Sequence, residues 1–141
     1  MEPLHLNRFI DAHLRDYPNA LSEIKIGRKQ SHWMWYIFPQ IAGLGMTEIS
    51  NYYSIQDIEE AKAYMEEPLL RSHLLEISEA LLELETNDAN RVFGYPDDMK
   101  LKSSMTLFLE ACPQEKVFQK VLDKFFHGMK DQKTVNLLKN K

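Results

Sequence analysis

The chain lacks several things, and each absence narrows what it can be. It has one cysteine, Cys112, in 141 residues. No intrachain disulfide can staple it, which fits a reducing compartment and sets the expectation of a cytoplasmic protein. It has no basic excess: 17 Lys and Arg face 21 Asp and Glu, for a formal net charge of -4. Proteins that grip duplex phosphates ordinarily carry surplus cations, so nucleic acid is a poor candidate partner. Long apolar runs are missing, the longest being Trp33 to Phe38. That is far below the ~20 residues of a membrane span. Met1-Glu2-Pro3-Leu4-His5 carries no basic stretch followed by an apolar one, so no secretory leader is read there. Repeats and Gly/Ser linkers are also absent.

Familiar chemical devices are missing as well. No glycine-rich loop ends in Gly-Lys-Ser or Gly-Lys-Thr, and Gly43-Leu44-Gly45 lacks the third glycine of a dinucleotide fingerprint. There is no His-Glu-x-x-His. His73 and Glu76 occur in the reverse of the Glu-x-x-His order used by di-iron bundles. No metal site is expected, and no cofactor is assigned.

What is present is helical periodicity. Leu6, Phe9, Ile10, His13, Leu14 and Tyr17 recur at helix spacing, and Pro18 reads as the end of that helix and the start of a short second one capped by Gly27. Thr47 to Tyr53 forms a short helix capped by Thr47. Ile58, Ala61, Tyr64 and Met65 make another stripe, with Ser54 and Gln56 as candidate caps. Pro68 opens a helix whose apolar face runs through Leu70, Leu74, Ile77, Leu81 and Leu84. After the turn at Thr86-Asn87-Asp88 and a stop at Gly94, Pro96-Asp97-Asp98 opens the next, with carboxylates in the first turn. Its inner face is Leu101, Met105, Phe108 and Cys112. A further helix carries Val117, Val121, Leu122 and Phe125 and is capped by Gly128. Asp131 caps the last, with Val135 and Leu138 packing back. With 44% hydrophobic and 27% charged residues, the pattern predicts one all-α domain over 1–141, a compact packing of about seven to nine short helices.

Two segments carry candidate chemistry. In Lys29 to Gln40, two tryptophans, a tyrosine and a phenylalanine sit beside Lys29, Ser31, His32 and Gln40. The run has no period and fits a buried strand or a short buried helix; the helical surroundings favour the helix, with Ser31 as its N-cap. Read as a site, Trp33 and Trp35 stack on a planar group, Lys29 meets an anion, and His32 is the acid-base residue. The plain structural alternative is an aromatic core with polar caps. The second segment is Asp97 to Thr106. There Ser103, Ser104 and Thr106 crowd one helix beside Lys100 and Lys102, although serine and threonine are mediocre helix formers. Together they suit an oxyanion or phosphate. Alternatively, they are small residues that let helices approach. Cys112, beside Pro113 on an inward face, reads as a small hydrophobe.

Gly27-Arg28-Lys29-Gln30-Ser31-His32-Trp33-Met34-Trp35-Tyr36-Ile37-Phe38-Pro39-Gln40, followed by Gly43-Leu44-Gly45, resembles the signature of a small bacterial family of unknown function. The resemblance runs nearly the whole chain, through Arg8-Phe9, Glu60 to Met65, Phe93-Gly94, Lys100 to Phe108 and the closing Gly128, Asp131 and Thr134. It implies packed short helices and no established reaction. Members sometimes carry the label calpastatin, which the physics does not support: calpastatin inhibits calpain through long disordered repeats. The chain departs from the pattern at His13, where glutamine is usual. It departs again at Glu67-Pro68-Leu69-Leu70-Arg71, where a His-Pro-x-Leu-Gly run is usual, so a role of that histidine does not carry over.

Two functions remain in view. One is binding of, or catalysis on, a small anionic, nucleotide-like ligand, with catalytic His32 and Lys29 and a pocket of Ser31, Trp33, Trp35, Gln40, Lys100, Ser103, Ser104 and Thr106. The other is a helical module that binds a protein partner through an exposed apolar face rimmed by charge.

Overall fold

The computed structural model describes residues 5–45 and 47–141. Among them the chain forms nine α-helices and no strand: α1 Asn7–Ile26, α2 Met34–Ile37, α3 Glu48–Tyr53, α4 Ile58–Glu66, α5 Pro68–Leu82, α6 Ala89–Phe93, α7 Asp97–Ala111, α8 Val117–Phe126 and α9 Gln132–Lys139. The all-α expectation is met, and no helix among the described residues is long and apolar enough to cross a membrane.

Helix α7 is the axis of the fold. It packs against α4, α6, α8 and α9, while α5 packs against α1, α4 and α8. Its buried residues run from Leu101 through Ser103, Ser104, Met105, Thr106, Leu107, Phe108 and Leu109 to Ala111. A helix enclosed on all sides has no polar face to spare, so its small hydroxyl residues sit where neighbouring helices come close. The core is one contiguous cluster that includes Phe9, Trp33, Phe38, Tyr64, Phe108 and Phe118.

Several boundaries differ from the sequence reading. Pro18 does not break α1, which runs 20 residues through it. Proline there removes the hydrogen bond to the Leu14 carbonyl, but Leu14 and Pro18 both lie on the exposed face, where solvent can satisfy the freed carbonyl. The cap of α4 is Asp57, whose carboxylate accepts the Glu60 N–H, and not Ser54 or Gln56. At the end of α8 the left-handed position is held by His127, with Gly128 next to it. Against α7, α9 buries Thr134, with Leu137 and Leu138 partly buried against the core. Thr47, Pro68, Asp88 and Asp131 open their helices as expected, and Gly27 and Gly94 close theirs.

The tryptophan segment is one helical turn, α2, then extended chain. Ala42 N–H donates to the Ile55 carbonyl at 2.7 Å, and Ile55 N–H to the Gln40 carbonyl at 2.8 Å. This makes an isolated parallel bridge between Ile41 and Ile55. The helix reading of the apolar run holds at Met34–Ile37, and the bridge lies beyond the run, at Ile41. Buried on α1 and α4, Arg8 and Glu60 form an ion pair at 3.2 Å, and Arg8 also donates to the Tyr52 and Ser54 carbonyls. That knot ties α1 to the α3–α4 connection.

Candidate functional site

The geometry starts at Glu23, near the C-terminal end of α1. Gly27, at φ 89°, turns the chain back, so residues 30–33 return over the Glu23 carboxylate. Its Oε1 accepts Gln30 N–H at 2.7 Å, Ser31 N–H at 2.9 Å and the Trp33 indole N–H at 2.9 Å. Its Oε2 accepts the Ser31 hydroxyl at 2.6 Å. Partial burial pushes the carboxyl up, but these four donors outweigh it and hold it at about 2. Ser31 is therefore not the cap of α2, and Trp33 is 1% exposed core. Both side chains are engaged in folding the segment.

Lys29 is also engaged. Its ammonium lies 2.9 Å from Asp97, in the first turn of α7, and 5.1 Å from the centre of the Trp33 ring. The side chain is 7% exposed. Asp97 has a second cation, Lys100, at 3.4 Å. Lys100 in turn lies 5.3 Å from the centre of the Trp35 ring. Two lysines on one carboxylate leave one positive charge uncompensated, and the Lys100 end of this array faces a cleft.

The cleft has a volume of about 680 Å³. Trp35 and Gln40 form one wall, and Lys100 and Ser103 on α7 another. Asp131, Gln132 and Lys133, at the start of α9, form a third, and Thr47, Ile49 and Ser50 close the far side. Tyr95 and Met99, both exposed, stand at its rim. The structure thus brings Trp35 and Gln40 together with Lys100 and Ser103. Lys29, Ser31, Trp33, Ser104 and Thr106 do not line the cleft, because each is enclosed or bonded elsewhere. His32 is exposed outside it; the Tyr36 hydroxyl donates to its carbonyl at 3.2 Å, while its imidazole has no hydrogen-bond partner among the described residues.

The sequence favours Asp131, within Gly128 to Thr134, as helix punctuation over a site residue, and it does cap α9. Its Oδ2 accepts Thr134 N–H at 3.1 Å and the Thr134 hydroxyl at 2.6 Å, and the Ser103 hydroxyl lies 3.1 Å away. The Asp131 N–H donates to the Thr106 hydroxyl at 2.9 Å. Thr106 therefore serves the cleft indirectly, by fixing the turn that carries Asp131. A second hollow, of about 510 Å³, has Lys25 and Arg91 balanced by Glu83 and Glu85 and holds no aromatic residue. It lacks the charge surplus of the first. Among the described residues, no three His, Cys, Asp or Glu side chains converge to hold a metal ion.

A partly buried polar cluster has no signature in the sequence, because its members come from helices far apart in the chain. His13 on α1 and His73 on α5 place their Nδ1 atoms 3.0 Å apart. Tyr17 stacks on the His73 ring at 3.6 Å and donates to Glu76 at 2.6 Å. The nearest local signal was His13 itself, an imidazole on the apolar stripe of α1.

Comparison with known proteins adds the following. The family model described as a protein of unknown function, DUF1810, matches residues 3–138. Among solved structures, the conserved hypothetical protein Rv1873 from Mycobacterium tuberculosis is 39% identical, with 98% of this chain and 99% of that chain covered and a TM-score of 0.95. No curated protein matches the chain.

Proposed function

The chain belongs to the family of proteins of unknown function DUF1810, and from that premise we propose that its 680 Å³ cleft binds a small anionic ligand carrying a planar or apolar part. One observation carries this reading: Lys29 and Lys100 share Asp97, so the Lys100 ammonium, set against the Trp35 ring, offers the cleft an uncompensated charge. A partly desolvated cation beside an aromatic wall attracts an anion more strongly than a lysine in open water does. Lys133, exposed on the first turn of α9, adds a second positive group. The titratable side chains of the wall are Lys100, Asp131, Lys133 and Tyr95. Neither His32 nor Lys29 is among the residues that line the cleft, so binding is preferred to catalysis by either.

The interaction-module alternative has less to draw on. Of the exposed large apolar side chains, Ile49, Tyr95 and Met99 converge on this cleft, while Leu14, Ile26, Tyr52 and Met129 lie on other parts of the fold. The test is titration of Trp33→Phe protein, which leaves Trp35 as the reporter, with inorganic phosphate, ribose 5-phosphate and AMP. A saturable fluorescence change is expected that weakens with salt and disappears in Lys100→Ala. A change indifferent to Lys100, or none with any probe, would remove the reading.

A further inference from the structure

We infer that the ligand of this cleft is a hydroxyl-bearing phosphate, a sugar phosphate or a ribonucleotide, and that Asp131 selects it through its hydroxyls; this rests on the anion-binding reading above. The argument begins with a conflict of charge. A cleft that offers Lys100 and Lys133 to an anion also holds the Asp131 carboxylate, and a bare anion is attracted by the first two and repelled by the third.

The two oxygens of Asp131 are not equivalent. Oδ2 is crowded by the Thr134 N–H, the Thr134 hydroxyl and the Ser103 hydroxyl, all within 3.1 Å. Among the described residues no group donates to Oδ1. The carboxylate is also held from behind, since the Asp131 N–H is fixed on the Thr106 hydroxyl, which itself donates to the Lys102 carbonyl at 2.8 Å. Its position is therefore set before any ligand arrives, with one ionised acceptor oxygen left over. A group that accepts only, such as a phosphate oxygen, cannot use that oxygen. A hydroxyl can, and its hydrogen bond to a carboxylate is of the charge-assisted kind.

Spacing agrees. Asp131 is bonded to Ser103, one turn along α7 from Lys100. One turn is a rise of about 5 Å, within the reach of a single sugar unit from its phosphate. A ligand with its phosphate at Lys100 and a hydroxyl at Asp131 satisfies both charges, and inorganic phosphate satisfies one.

The experiment is calorimetric titration with AMP, its dideoxy analogue, ribose 5-phosphate and inorganic phosphate, on the native chain, Lys100→Ala and Asp131→Asn. Asparagine caps helices as well as aspartate does, so the fold is kept while the free acceptor becomes neutral or is replaced by a donor. The hydroxyl-bearing phosphates are expected to bind roughly tenfold tighter than dideoxy-AMP or phosphate, and Asp131→Asn is expected to erase that margin. AMP tighter than ribose 5-phosphate assigns a ribonucleotide, and equal affinities assign a sugar phosphate; both support the inference. If dideoxy-AMP equals AMP while binding still requires Lys100, the hydroxyl selection by Asp131 falls and the anion site stands. Binding that ignores Lys100, or none at all, overturns both.

Discussion

The Nδ1 atoms of His13 and His73 lie 3.0 Å apart, with their rings parallel within 1°. Only one proton fits between two such nitrogens. His13 uses its Nε2–H on the Tyr36 carbonyl at 2.8 Å, so its Nδ1 accepts and His73 donates. His13, donating at one nitrogen and accepting at the other, is therefore neutral in the fold. Burial drives His13 down to about 4, against the pull of the Tyr36 carbonyl and with help from repulsion by His73. His73 is lowered by burial, opposed by Glu76 and Glu67.

The consequence is a pH slope. Between about 6.5 and 4 the unfolded chain binds a proton that folded His13 refuses. Stability is full above that window and falls as the pH drops through it, by about 3 kcal/mol for His13 alone. A glutamine can donate to the Tyr36 carbonyl and accept from His73 without titrating. His13→Gln is expected to remove most of this slope in urea unfolding measured at pH 7, 6, 5 and 4.5. An unchanged slope would assign the acid sensitivity to other groups.

Glu23 gives an acid effect of opposite origin in a lower window. Its carboxyl is depressed from 4.5 to about 2, so its contribution is present above 4.5 and is lost as the pH falls toward 2. Glu23→Ala strands the Trp33 indole N–H and the Gln30 and Ser31 amides, and a cost of about 3 kcal/mol is expected. Glu23→Gln keeps an oxygen for the N–H donors and loses only the charge, for about 1 kcal/mol. Equal losses for the two variants in urea would mean that the hydrogen bonds at this carboxylate do not organise the segment.

The difference between what was readable and what was not follows sequence distance. Helix spacing and caps are local, so Thr47, Asp88 and Asp131 were found where the structure has them. Pro18 does not end α1 as its type suggests: the helix carries it on an exposed face, and exposure is a property of the fold. The candidate site was legible at Trp35, Gln40, Lys100 and Ser103, where a polar group stands next to an aromatic or lysine-rich run. Lys29 was not legible as an engaged residue. Its partner, Asp97, is 68 positions away, and a buried ion pair and a ligand-seeking lysine look the same in sequence. The His13–His73 contact spans 60 positions and left no local mark.

Ser104 permits a sharper test of the central helix. Its side chain is fully buried, and its hydroxyl has no hydrogen-bond partner among the described residues. A buried hydroxyl without a partner costs about 1–3 kcal/mol of desolvation. Ser104→Ala removes that cost and improves helix propensity, against a small loss of packing. Stability is expected to rise by about 1 kcal/mol, read as a melting temperature higher by about 3 °C. A drop of that size would mean the hydroxyl has a partner, a water for instance, in solution.

Lys29 and Lys100 share Asp97, yet they differ in burial, and that difference separates their roles. Lys29 is 7% exposed at 2.9 Å from the carboxylate; Lys100 is 25% exposed at 3.4 Å. Lys29→Met removes the shorter, more buried contact and a cation set against Trp33, and a stability loss of about 2–4 kcal/mol is expected. Asp97 then has only Lys100, the pair is neutral, and phosphate binding weakens although Lys29 does not line the cleft. Lys100→Met leaves the Lys29–Asp97 pair whole, so stability changes by less than about 1 kcal/mol while binding is lost. Urea unfolding and a phosphate titration at low salt, run on both variants, should therefore give opposite rankings. If Lys29→Met loses stability but binds phosphate as the native chain does, the sharing of Asp97 is not what charges the cleft; if Lys100→Met also keeps binding, the anion is held by Lys133 instead.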